Sequence, residues 1–189
     1  MAIFFTSDLH FEHRNVIDYC KRPFVKADGQ QDLELMHRTL IYNWNEKVSE
    51  DDTVYVLGDF SFGNKGKIAG VLAQLKGEKI LIRGNHDRSA QSMLHCGFDE
   101  VYNNYQMDLG KYKIYLAHIP LGDPEEMKRK YKPEFLKPPP KYYDFFVCGH
   151  VHEKWRTKEK FINIGVDQWN FTPVSDVELL GLMDELKRT

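Results

Sequence analysis

Short apolar runs and longer apolar periodicities alternate along the chain, separated by polar turns. Ile3-Phe4-Phe5-Thr6, Thr53-Val54-Tyr55-Val56-Leu57, Lys79-Ile80-Leu81-Ile82, Tyr112-Lys113-Ile114-Tyr115-Leu116 and Phe145-Phe146-Val147-Cys148 are rich in β-branched and aromatic residues, which predicts buried strands. Leu33, Met36, Leu40, Trp44 and Val48 recur every three or four positions, so residues 31–47 should form a helix with an apolar stripe facing a sheet. A short helix over 15–19, stopped by Arg22-Pro23, should precede it. Ile68, Val71, Leu72 and Leu75 predict another helix, with Gly77 at its C-terminal cap. In the second half, 101–109 and 111–118 read as a hairpin about Gly110, and 155–166 adds one or two strands. Val177, Leu180, Met183 and Leu186 predict a last helix, capped by Ser175.

Strands that alternate with helices, then strands that mostly follow one another, predict an α/β fold of two packed sheets with helices outside. No internal repeat and no linker divides residues 1–189, so a single domain is expected. A domain of this size buries roughly 70% of its unfolded surface, enough for a core without staples.

The residues that end these strands carry the candidate chemistry. Five of the eight histidines fall in an ordered acid/histidine pattern. It reads S-D-L-H (Asp8, His10), L-G-D-F (Asp59), R-G-N-H-D (Asn85, His86, Asp87), A-H-I-P (His118) and C-G-H-V-H (His150, His152). Oxygen and imidazole donors in that number suit two hard or borderline divalent cations, because each ion needs several ligands and one carboxylate can bridge both. The carboxyl ends of strands in α/β sheets are the usual place for such a site. Gly58, Gly84 and Gly149 stand beside the candidates, where close approach or positive φ is needed.

Composition narrows the function further. A formal net charge of −2 and a pI near 6.4 argue against a generic polyanion binder, so phosphate recognition must be local. Cys20, Cys96 and Cys148 show neither a disulfide framework nor zinc-like spacing, which points to the cytoplasm. No signal segment or membrane span is expected, and hence no membrane partner. Residues 124–141 place Lys128, Arg129, Lys130, Lys132, Lys137 and Lys141 against Glu125, Glu126 and Glu134, ending in Pro138-Pro139-Pro140. A short charged helix before a stiff proline run is predicted, either a solvated excursion or a basic lid beside the site.

The ordered set D-x-H, G-D, G-N-H-D, H and G-H-x-H resembles the calcineurin-like metallophosphoesterase superfamily. With S-D-L-H-F-E-H near the start and N-I-G-V-D after the last block, it looks like the small bacterial and phage-type phosphoesterase branch. The resemblance implies a four-layer αββα sandwich of two mixed β-sheets flanked by helices. It also implies that Asp8, His10 and His152 hold one metal, that Asn85, His118 and His150 hold the other, and that Asp59 bridges them. Two divalent ions are the implied cofactors, Mn²⁺ being expected in assay, with Fe, Zn, Mg, Ni or Co also suited to these donors. The implied reaction is hydrolysis of a phosphodiester or related small phosphate ester, by in-line attack of a metal-bridging hydroxide.

In that scheme the catalytic candidates are His86, as general acid at the leaving oxygen, and Asp87, which either orients that imidazole or caps the following helix. His13 and Arg14, with Asn85 and His86, are candidate substrate contacts, although capping of the Asn15 helix competes for the first two. Asn163 and Asp167 are expected to support a loop, while Trp169 and Asn170 are candidate rim residues, with packing the favoured role for Trp169. His37 and His95 are expected to be structural. Two other readings use the same residues. One is a nuclease in which the basic segment holds nucleic acid, a less favoured partner than a small ester. The other is a catalytically silent scaffold, which should have lost ligands or His86.

Overall fold

The computed structural model describes residues 1–121, 124–136 and 138–188. Lys137 and the side chains of Glu125 and Glu126, all part of the basic run, lie outside the described residues. The strands are β1 (Ile3–Thr6), β2 (Thr53–Val56), β3 (Glu78–Ile82), β4 (Glu100–Tyr102), β5 (Tyr105–Leu109), β6 (Tyr112–Leu116), β7 (Phe145–Cys148), β8 (Thr157–Lys158), β9 (Phe161–Asn163) and β10 (Val174–Ser175). The helices are α1 (Val16–Tyr19), α2 (Leu33–Lys47), α3 (Lys65–Leu72), α4 (Ala90–Cys96), α5 (Pro124–Lys130) and α6 (Asp176–Arg188).

Two mixed five-stranded sheets result. The first runs β10-β1-β2-β3-β4, with β1 to β4 parallel and β10 antiparallel to β1. The second runs β5-β6-β7-β9-β8, in which β6, β7 and β9 are parallel and the edges antiparallel. The first-sheet strands read as continuous apolar runs because both faces are covered. Phe4, Val54, Val56 and Leu81 pack outward with Met36, Leu40 and Trp44 of α2 and Ile68 of α3. Phe5, Tyr55, Ile80 and Ile82 turn the other way, against Ile114, Leu116, Phe145 and Val147 of the second sheet. The α6 residues Leu179 and Met183 join that inter-sheet core. This is the expected sandwich of two mixed sheets with helices.

Helix starts follow side-chain capping. Asp32 accepts from Leu35 N at 2.9 Å at the start of α2. At α6, Ser175 Oγ accepts from Glu178 N at 3.2 Å and Glu178 returns the bond to Ser175 N, a reciprocal capping box. Two expectations are corrected. The strand expected over 101–109 breaks at Asn103-Asn104, so that β4 closes the first sheet and β5 opens the second. Periodicity does not register this crossing, since both halves look like strand. Gly77 does not cap α3, whose C-cap is Ala73; at φ 80° it makes the turn into β3 instead. No helix among the described residues is long and apolar enough to cross a membrane.

Candidate metal centre

The loops that leave β1, β2 and β7 are held in an uncommon backbone conformation. Asp8, His10, Asp59, His150 and His152 all have φ between 49 and 70°, the left-handed region that costs a non-glycine residue about 1 kcal/mol or more. Main-chain hydrogen bonds offset that strain: Asp8 N donates to Gly58 O, His10 N to Asp59 O and Phe11 N to Phe60 O, each at 3.0 Å. The second sheet is pressed against this frame. A Cβ on Gly149 would collide with the side chains of Ser7 and Asp8, so the loop after β7 comes this close only because it carries glycine. His150 N then donates to Asp8 Oδ2 at 2.9 Å.

Two groups of donor atoms converge at this junction. Asp8, His10 and His152 bring ligand-type atoms within 4.8 Å of one another, and so do Asp59, His118 and His150. Asp59 Oδ2 lies between them, 3.7 Å from His10 Nε2 and 3.2 Å from His118 Nε2. The 3.2 Å contact lacks hydrogen-bond alignment: among the described residues both ring nitrogens of His10, His118 Nε2 and Asn85 Oδ1 are buried without a hydrogen-bond partner. Buried polar atoms are rarely left so. A divalent cation would satisfy them, so this donor set fits the metals that the sequence pattern implies. Tautomers fit as well. Nδ1 of His118 faces Leu57 O at 2.7 Å and Nδ1 of His152 faces Asp167 Oδ2 at 3.1 Å, which leaves each Nε2 lone pair turned inward.

Among the centre's own side chains the ionisations pull apart. Burial pushes the Asp8 carboxyl up, and burial holds the His10 ring well below its ordinary range. His150 is lowered to about 3, chiefly by burial and then by His118. Burial opposes a charge on His118, yet the adjacent Asp59 carboxylate outweighs it and lifts the ring to about 9. Burial likewise opposes a charge on His152, but its bond to Asp167 and the nearby Cys20 and Asp8 raise it to about 11. Burial also opposes a charge on Asp59, yet His118 and His10 hold its carboxyl well below the usual range. A further group, Cys20 with His152 and Asp167, is less suited to a metal. There burial raises the thiol and Arg22 already engages Asp167.

The other expected site residues are placed differently. His86 is exposed, its ring centroid 4.8 Å from that of Phe62, and its N–H donates to Asp59 Oδ1 at 3.0 Å. Asp87 neither turns to that ring nor caps α4, whose cap is Ser89. Its buried carboxylate accepts from Asp59 N at 2.9 Å, Phe60 N at 3.0 Å and Gly84 N at 2.7 Å, binding two loops together. Burial, then repulsion from Asp59, lifts its pKa to about 6. Arg14 is turned away from the centre, donating to Gln31 O at 2.7 Å, while His13 does line a cleft beside it. Asn15 makes no side-chain cap.

Asn163 and Asp167 support the His152 loop as expected: Asn163 Nδ2 donates to the carbonyls of His152 and Trp155, both at 2.8 Å. Trp169 packs, with its Nε1 on Asn163 O at 2.9 Å and the Arg156 guanidinium 3.6 Å over its ring. His37 Nε2 accepts from Glu12 N at 2.8 Å, a structural tie.

Two residues escape sequence reasoning. Arg22, read only as a helix stop, is buried and donates to Asp167 at 2.8 and 2.9 Å and to the carbonyls of Asp8 and Leu9 at 2.7 and 3.1 Å. Tyr131, just past α5, places its hydroxyl 2.8 Å from His150 Nε2 and so brings the basic segment to the centre. The one signal available for either was proximity to a Pro or to a charge run.

Known proteins resemble the chain in sequence and in fold. Residues 1–174 match the calcineurin-like phosphoesterase superfamily domain. The chain belongs to that superfamily. Membership indicates a phosphoesterase, in a superfamily that depends on metals. This calcineurin-like chain is 35% identical over 182 residues to an uncharacterized protein of Methanocaldococcus jannaschii, covering 92% of the chain and 86% of the relative. It is 38% identical over 202 aligned residues to the Gene 66 protein of Mycobacterium phage D29, covering 93% of each. A solved structure of a protein of unknown function from Aquifex aeolicus superposes with a TM-score of 0.69 at 28% identity, over 96% of this chain and 98% of that one.

Proposed function

We propose that this phosphoesterase is a dinuclear metal enzyme that hydrolyses phosphodiesters or closely related small phosphate esters. Asp8, His10 and His152 would hold one divalent cation, Asn85, His118 and His150 the second, and Asp59 would join them. One observation carries this reading: the Asp59 carboxylate, grouped with His118 and His150, also stands 3.7 Å from His10 of the other group, and His10 and His118 have buried ring nitrogens without a hydrogen-bond partner among the described residues. A shared carboxylate offsets the repulsion between neighbouring dications, and the neutral Asn85 oxygen keeps the centre from becoming too anionic for a phosphate. Mn²⁺ is the metal we expect to support activity, the donors also suiting Fe, Zn, Mg, Ni and Co.

When bound, the cations would supply Lewis-acid stabilisation of the phosphoryl group and an acidified water for in-line attack. The chain's own residues do the rest. His86 stands at the mouth with its main chain tied to Asp59, and its ring would deliver a proton to the leaving oxygen. Asp87 acts on His86 only through the loop it clamps, as a positioning residue. Arg22 and Asp167 keep the Nδ1 proton of His152 outward so that Nε2 stays a donor. The odd number and the spacing of Cys20, Cys96 and Cys148 would suit a reducing compartment such as the cytoplasm.

The test is hydrolysis of bis-p-nitrophenyl phosphate and p-nitrophenyl phosphate by metal-stripped protein resupplied with Mn²⁺, Ni²⁺, Zn²⁺ or Mg²⁺. Activity should return with metal and favour the diester. Asp59→Asn should abolish it together with binding of the second ion, whereas His86→Ala should keep both ions and lose diester turnover by about 10²-fold or more. No metal-dependent hydrolysis of either ester would sink the proposal.

A further inference from the structure

We infer that the cleft beside the metal centre is a nucleobase subsite, which makes the substrate a phosphate ester carrying a nucleoside. The inference rests on the dinuclear reading above and names its substrate class. The cleft has a volume of 480 Å³, within the range that holds a small organic ligand. The candidate ligands His10 and His152 line its inner end and His86 its edge, so a group seated there would hang from a phosphoryl group held at the metals. Its outer wall is aromatic. Tyr19 meets His13 edge-on at 6.3 Å between centroids, His13 stacks on Phe62 at 4.1 Å, and Phe62 lies 4.8 Å from His86.

This rail of rings runs from solvent to the centre, and its outer members stay open: Phe62 is 42% and Tyr19 69% exposed. Exposed aromatic faces at a cleft mouth are platforms for a flat π-system, and bases stack on them with little regard to sequence. At the rim stand one cation, Lys154, and one anion, Glu153, so the cleft has no surplus charge for a second phosphate. Flat, near-neutral and bearing a few polar edges, a nucleobase matches this lining.

Calorimetric titration of Mn²⁺-loaded protein with inorganic phosphate, ribose 5-phosphate and adenosine 5′-monophosphate tests it. The nucleotide should bind about tenfold more tightly than ribose 5-phosphate, the gain of one stacked base. That ratio should fall towards one in Phe62→Ala and in Tyr19→Ala and return in Phe62→Tyr. Inorganic phosphate should bind all variants alike, which also reports that they are folded. A 5′-phosphorylated pentanucleotide with phosphorothioate linkages, which resist hydrolysis, separates the two sources of such a group. Tighter binding than the mononucleotide assigns the end of a strand and weaker binding a free nucleotide, and in both cases the gain over ribose 5-phosphate must be lost in Phe62→Ala. Equal affinity for ribose 5-phosphate and the nucleotide, or a ratio untouched by both alanine variants, would overturn the subsite while leaving the metal centre standing. Failure of inorganic phosphate to bind the wild type would overturn both.

Discussion

The two sheets bring their shares of the centre together by different means. Asp8, His10, Asp59 and Asn85 come from loops after the parallel strands β1, β2 and β3, which are stitched to one another by main-chain hydrogen bonds and by the three N–H groups held on Asp87. His118, His150 and His152 come from the second sheet and are oriented largely across the junction. Leu57 O holds His118, the Asp8 carboxylate holds the His150 main chain, and the buried Arg22–Asp167 pair holds His152. The difference teaches that one half is preorganised by backbone geometry and the other by buried charge. The first should answer to lost hydrogen bonds, the second to lost ion pairs and to pH.

The largest effect should come from the charged half. Arg22→Met leaves the buried Asp167 carboxylate with His152 as its remaining partner, and should cost about 3–5 kcal/mol in urea unfolding together with a loss of metal affinity. Asp87→Ala leaves three loop N–H groups short of an acceptor and should cost about 3 kcal/mol by the same measurement. A larger loss for Asp87→Ala than for Arg22→Met would reverse the comparison.

Proton linkage sharpens it next. With rings raised to about 9 and about 11, His118 and His152 are protonated at pH 7 in the metal-free protein, so loading metal should release about two protons. Calorimetry in buffers of different ionisation enthalpy counts them, and metal affinity should rise with pH through about 9 and on towards about 11. Without metal, the stability that protonated His118 contributes is full below its ordinary 6.5 and is lost as pH rises through about 9. Buffer-independent heats would break the assignment of these rings as ligands. The smallest effect should be that of Tyr131→Phe, within about 1 kcal/mol in stability. It frees His150 Nε2, so metal affinity should rise a few-fold; a fall would mean that the Tyr131 hydroxyl supports the loaded centre instead.

Much of the frame is legible from local pattern. Apolar runs located β1, β2, β3, β6 and β7, and four-residue spacing located α2, because burial on a sheet or a helix face repeats at short range. The same runs placed the acid and histidine residues at strand ends, where the structure does assemble Asp8, His10, Asp59, His118, His150 and His152. The break at Asn103-Asn104 was not legible, since β4 and β5 differ in partner rather than in composition. Nor was the role of Asp87. Its neighbour in sequence is His86, but its carboxylate serves N–H groups of Asp59 and Phe60, brought to it by the pairing of β2 with β3.

The sequence by itself determined the kinds of donor, their order, and their position at the ends of buried strands, because strand periodicity and ligand chemistry are properties of short segments. Only the tertiary structure decided which donors face each other, that Arg22 and Asp167 hold His152, and that Tyr131 reaches His150. Those pairings join residues far apart in the chain. Their energies depend on a low-dielectric junction that exists only once the two sheets have packed.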